Sequence, residues 1–124
     1  MIVGIGCDII EVERIRRAIA RSELFVSKLF TPAETVYCRA KADPAQSFAA
    51  RFAAKEAVMK ALGTGWDGKV NWLDIEVLSD DAGRPYLNLG GGAKELAEKK
   101  GITNIQLSLS HEKAYALGYV ILEA

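Results

Sequence analysis

The sequence predicts an α+β fold, one domain over residues 1–124 in which a long helix packs against a mainly antiparallel sheet. Three observations predict it. A helical run, RFAAKEAVMKAL, occupies the middle of the chain; alternation with period two takes over from Trp72; and the first ten residues alternate apolar side chains with glycine and aspartate. With 124 residues and 50% hydrophobic content, the chain can bury roughly two-thirds of its unfolded surface. Apolar and aromatic residues are spread over its whole length, which argues against disorder.

In chain order, residues 2–9 read as a strand, with Val3, Ile5, Cys7 and Ile9 on one side and Gly4, Gly6 and Asp8 on the other. The two glycines leave room for something bulky beside the Asp8 carboxylate. This start has no basic lead and soon meets an aspartate, so it reads as a strand and not as a signal peptide. No stretch is long enough to cross a membrane, and a cytoplasmic location is expected. A short helix follows from about Glu11. Thr31, Pro32 and Glu34 then stand in the order N-cap, first-turn proline and capping-box acid. Residues 42–46 read as a loop, and the long helix runs from about Ser47 to Leu62, stopping at Gly63. GTGWDGK reads as an irregular loop able to offer backbone N–H groups to an anion, although its glycine spacing is not that of a P-loop. LDIEVLSDDAGRPYLNL is a hairpin turning around Asp81 to Gly83, and GGAKELAEKKG a short helix with Leu96 and Ala97 inward. In the last third Ile105, Leu107 and Leu109 alternate with Gln106, Ser108 and Ser110, and HEK turns that strand into YALGYVILE.

Charge is informative locally. Lys+Arg 16 balances Asp+Glu 16, so the global balance implies no polyanionic partner. Arg14, Arg17 and Arg21 share one helical face opposite Val12, Ile15 and Ile19; this is either a solvated face or a docking patch for an acidic protein or a phosphate. Interleaved aromatics are missing there, which weighs against nucleic acid. Cys7 and Cys38 lack metal-like spacing and read as reduced thiols.

On the long helix Phe48, Phe52, Val58, Met59 and Leu62 form one apolar arc. Arg51 and Lys55 fall inside it; Glu56 and Lys60 lie on its shoulder, one turn apart. An unpaired buried charge costs on the order of several kcal/mol, so something anionic, from the protein or from a ligand, meets these cations. Asp8 and Glu56 are candidate ligands for a hard cation if strand and helix pack together. The plainer readings are a strand-end aspartate and a surface Glu56–Lys60 pair worth a few tenths of a kcal/mol. His111 stands alone, without a zinc cluster, and a Ser110–His111–Asp8 triad is disfavoured because adjacent strand residues face opposite ways.

Gly6-Cys7-Asp8-Ile9 with Arg14 downstream, Arg51-Phe52-Ala53-Ala54-Lys55-Glu56-Ala57 with Lys60-Ala61 and Gly63, Gly83-Arg84-Pro85, and Leu107-Ser108-Leu109-Ser110-His111 occur in that order between Ile5 and Gly118. Together they resemble the holo-acyl-carrier-protein synthase family, the short bacterial-type branch of the 4'-phosphopantetheinyl transferases. The resemblance implies that family's fold and an enzyme of fatty-acid biosynthesis. Its reaction moves 4'-phosphopantetheine from coenzyme A to a serine of an apo acyl carrier protein, releasing adenosine 3',5'-bisphosphate. It implies that Asp8 and Glu56 hold magnesium with the coenzyme A pyrophosphate, that Lys60 reaches the pyrophosphate, and that Arg51, Lys55 and His111 surround the nucleotide and its phosphates. Arg14 and its helix, with Arg17 and Arg21, would receive the acidic carrier. A homotrimer with active sites between subunits is also implied, which would account for cations on an apolar arc. In such a site Glu56 or a water on the ion takes the serine proton while Lys60 steadies the departing phosphate. The same cations would also suit a non-enzymatic phosphate- or coenzyme-A-binding module; a plain trimeric interaction domain would need neither ligand nor metal.

Overall fold

A computed structural model describes residues 1–64, 68 and 70–124. The chain runs β1 (Ile2–Glu11), α1 (Val12–Arg21), α2 (Glu23–Leu29), α3 (Pro32–Arg39), α4 (Pro44–Leu62), a 3-10 turn (Trp72–Asp74), β2 (Ile75–Ser79), β3 (Pro85–Leu89), α5 (Gly91–Lys99), β4 (Asn104–His111) and β5 (Tyr115–Glu123). The described strands form two antiparallel sheets, ordered β1-β5-β4 and β2-β3. The fold is α+β, as the sequence predicts.

The long helix α4 lies across the larger sheet, and small residues on both partners explain how. Ala53, Ala54 and Ala57 are fully buried against β1 and β5. Opposite them stand glycines: a methyl group on Gly6 would collide with the Ala57 carbonyl, and one on Gly118 would lie 2.6 Å from the Ala54 nitrogen. Backbone therefore rests on backbone, and the space expected beside Asp8 is filled by α4 itself. The other faces of α4 feed two apolar clusters. Phe48 joins Ile10, Val12, Ile15, Val26 and Phe30, while Val58, Met59 and Leu62 join Ile75, Val120 and Leu122. Burying each such large side chain is worth about 1.5–3 kcal/mol. The helix is thus buried on nearly every side, where a single arc was expected.

Local signals set the element ends. Thr31 and Glu34 form the expected capping box at the start of α3. Gly63 adopts φ 75°, the left-handed conformation that closes α4. Three expectations need correction. Residues 44–46 are the first turn of α4, because Pro44 is tolerated at N1, where its missing N–H has no helical partner. The helix α2, capped by Ser22, lies in a stretch where no element is expected. Trp72–Asp74 is a 3-10 turn boxed by Asn71 and Asp74, so period two begins only at Ile75. The expected GTGWDGK loop falls largely outside the described residues.

On β1 the sheet face turned away from α4 is apolar and open. Val3, Ile5 and Ile9 are 44%, 54% and 61% exposed, and Tyr119 stands on the same face beside Cys7. No described helix is long and apolar enough to cross a membrane.

Candidate active site

Two groups of functional side chains flank α4. On the β1 side, Lys60 donates to Asp8 Oδ1 and to the Cys7 carbonyl, each at 3.0 Å. Its bond to Asp8 pulls the Lys60 ammonium above the usual lysine range. Glu56, half-buried on the same flank, makes no hydrogen bond or ion pair with a described residue. Burial, and then the charge of Asp8, raise its carboxyl above the ordinary glutamate range, against the pull of Lys60. Two hard carboxylates that disfavour each other's charge fit a divalent cation. Among the described residues no third His, Cys, Asp or Glu joins them. That suits magnesium, which takes one or two protein carboxylates and completes its shell with substrate phosphates and water.

On the other flank a cavity of about 430 Å³ opens between the end of α3, the start of α4, the β2–β3 turn and the end of β4. Arg51, Tyr37, Lys41, Ser79 and His111 line it, with Gly83 and Pro85. Arg51 is only 3% exposed. Its Nη2 donates to Ser79 Oγ at a long 3.4 Å and its guanidinium lies 4.0 Å from the Tyr37 ring centroid, but its buried Nε has no hydrogen-bond partner among the described residues. A buried, under-satisfied cation beside a cavity is suited to an anion.

Lys55, expected among the surroundings of the nucleotide and phosphates, lies in the interior of the chain. Its ammonium is fully buried, donating to Glu34 Oε1 at 2.8 Å and to the Trp72 carbonyl at 3.0 Å. Glu34 also accepts from the backbone of Thr31 at 2.9 Å and Val77 at 3.0 Å. The anion that this cation required comes from the protein. Desolvation draws the Lys55 ammonium below the usual lysine range, opposed by Glu34.

Geometry separates the two groups. At 100° per residue, Glu56 and Lys60 lie about 140° and 180° round the helix from Arg51. The sheet repeats the division: Asp8 on edge strand β1 pairs with Gly118, and Gly118 with cavity-lining Leu109 on the opposite edge strand β4. With α4 seated on Gly118, the helix stands between the two groups. His111 points to the α4 side of the sheet at the β4 end, far across the sheet from Asp8, so no Ser110–His111–Asp8 triad forms.

Arg14, Arg17 and Arg21 are exposed on α1, while Val12 and Ile15 are buried beneath them. Arg17 pairs loosely with Glu13 at 3.8 Å; Arg14 and Arg21 have no ion pair among the described residues. Arg16, on another face, is fixed by Asp43 at 2.9 Å and Glu13 at 3.1 Å. Cys7 and Cys38 are free thiols, and burial pushes that of Cys38 up to about 11. Sequence reading passed over Tyr37, Lys41 and Ser79, which come together only through the fold. The segment Tyr37–Lys41, an aromatic and a cation one helical turn apart, carries the only local hint.

The model of the 4'-phosphopantetheinyl transferase superfamily matches residues 4–120. A holo-[acyl-carrier-protein] synthase of Solibacter usitatus is 49% identical over 124 residues, covering 99% of each chain. One from Clostridium acetobutylicum is 47% identical over 123 residues, covering 99% of this chain and 98% of the other. Among solved structures, the holo-[acyl-carrier-protein] synthase of Neisseria meningitidis superposes with TM-score 0.91 at 36% identity, covering all of both chains. That of Bacillus anthracis, solved in complex with CoA (3',5'-ADP), gives 0.83 at 38% identity, covering 100% of this chain and 98% of the other. The chain belongs to the holo-[acyl-carrier-protein] synthase family of the 4'-phosphopantetheinyl transferase superfamily.

Proposed function

We propose that the two flanks of α4 are the two halves of a phosphopantetheinyl-transfer site. The chain transfers 4'-phosphopantetheine from coenzyme A to a serine of apo acyl carrier protein, giving holo acyl carrier protein and adenosine 3',5'-bisphosphate. The observation that carries the assignment of residues is the Glu56 carboxylate, unpaired among the described residues and beside Asp8, with Lys60 bonded to Asp8 at 3.0 Å. Asp8 and Glu56 would hold magnesium, which would supply charge neutralisation at the pyrophosphate. Lys60, on an exposed stem, transfers its hydrogen bond from Asp8 to an oxygen of the departing bisphosphate. Glu56, or a water beside it, accepts the serine proton. Arg51 and His111 take the anionic nucleotide end of coenzyme A in the 430 Å³ cavity.

Because α4 stands between the halves, one extended ligand cannot engage both within one chain. A second copy that brings its Arg51 flank against this chain's Glu56 flank completes the site, and three such heterologous contacts close a ring. The open apolar face of Val3, Ile5, Ile9 and Tyr119 supports this homotrimer. Arg14 and Arg21 dock the acidic carrier, and the residues 1–124 act as one cytoplasmic transferase domain.

The test is to incubate the purified chain with coenzyme A, magnesium and apo acyl carrier protein and weigh the intact carrier. The expected gain is one phosphopantetheine, lost with a chelator and with Asp8→Asn or Glu56→Gln. Bound coenzyme A without transfer to a folded carrier would leave a coenzyme-A-binding module instead.

A further inference from the structure

The Arg51 cavity contains an aromatic side chain that the transfer chemistry does not use. Tyr37, on α3, has two cations over its ring: the Arg51 guanidinium at 4.0 Å and the Lys41 ammonium at 4.4 Å from the centroid. Ser79, which accepts from Arg51 Nη2 at 3.4 Å, lines the same cavity as Tyr37. Ser79 first, then Lys41 and Arg51, draw the phenol below the usual tyrosine range, against the effect of burial.

Two cations gathered at one cavity repel each other, and in an apolar wall they would turn outward or admit water. A tyrosine ring offsets this, since its negative face attracts both charges within ~6 Å of the centroid. Ring and Ser79 engage the guanidinium, yet Nε, buried without a hydrogen-bond partner among the described residues, remains for a further acceptor. We infer that Tyr37 is a positioning residue that holds Arg51 and Lys41 together as a preformed receptor for the phosphate on the nucleotide end of coenzyme A. Its ring sets the preference for a phosphorylated over an unphosphorylated ribose. This inference rests on the assignment of the cavity to that end of coenzyme A.

The experiment compares coenzyme A with dephospho-coenzyme A, which lacks only the ribose phosphate, in wild type, Tyr37→Phe and Tyr37→Leu. Wild type should favour coenzyme A in KM. Tyr37→Leu should raise KM for coenzyme A about ten-fold, the size of losing one to two partly desolvated cation–π contacts, while kcat stays within about two-fold. Its KM for dephospho-coenzyme A should stay at the wild-type value, so the preference collapses. Tyr37→Phe keeps the ring and should restore most of it. A loss shared equally by both substrates, or one as large in Tyr37→Phe, would overturn the ring's positioning role. So would an unchanged preference in Tyr37→Leu, while the assignment of the cavity would survive. A wild type indifferent to the phosphate would overturn the cavity assignment as well. Should Tyr37→Leu fold poorly, Lys41→Met, at an exposed position, gives an independent reading: the preference must fall, and an unchanged preference sinks the paired-cation receptor.

Discussion

Gly6 lies directly under the Ala57 carbonyl, so close that a β-carbon has no place between β1 and α4. This contact sets how near Asp8, two residues along the strand, comes to Glu56, one residue back along the helix. Gly6→Ala should cost about 1–3 kcal/mol by overpacking and raise the magnesium concentration needed for half-maximal rate. Thermal melting together with a magnesium titration checks both; a stable variant with an unchanged titration would detach the site from this contact.

Glu56 should destabilise the metal-free protein. A carboxyl raised in the folded state binds its proton more tightly there than in the unfolded chain. Its effect is therefore absent at pH below the unfolded value, 4.5, and stability is lost as pH rises through the folded value. Glu56→Gln removes that loss. In chelator at neutral pH its Tm should exceed wild type by roughly 1–3 °C, since solvent screens part of the interaction. The gain should vanish near pH 4, and the variant should be nearly inactive. A lower Tm at neutral pH would contradict a carboxylate that burial and Asp8 disfavour.

The Glu34–Lys55 pair is an internal tie between α3, α4, the 3-10 turn and β2. Glu34→Gln leaves a buried ammonium without its counter-charge and should cost about 3–5 kcal/mol in urea unfolding. The double variant Glu34→Met with Lys55→Met should recover much of this, because no charge is left to desolvate. Equal losses in the single and double variants would mean that packing, not charge, holds this junction.

Reversal of charge at Arg14 and Arg21 should raise KM for the carrier about ten-fold, leave kcat within two-fold and flatten the salt dependence. Stopped assays at two ionic strengths read this directly. An unchanged KM would make the face merely solvated.

Periodicity carried most of the elements, because alternation in β1, β4 and β5 and the capping signals at Thr31 and Gly63 are local. The helix α4 was legible in type but not in surroundings. Counting only its large side chains gave one arc, whereas Ala53, Ala54 and Ala57 form the face that meets the sheet. Small residues carry little hydropathy, and their partners are the glycines of two strands far away in sequence. The same limit applies to the site. The spacing of Glu56 and Lys60 is local, and Asp8 stands out as the one charge in residues 2–9, but the packing that brings strand and helix together is not written in either segment. The partner of Lys55 lies twenty-one residues back, where Glu34 reads only as a capping acid. Tyr37 and Ser79 meet through tertiary folding alone.

The placement of Arg51 and Glu56 on opposite flanks of one helix has a genetic consequence. If each site draws one flank from each of two neighbours, a chain defective at Arg51 and a chain defective at Glu56 do not fail in the same place. In a ring assembled from both, some boundaries bring two sound flanks together. Random mixing in equal amounts makes about a quarter of the boundaries whole. Two inactive preparations, unfolded and refolded together, would regain activity that neither has alone.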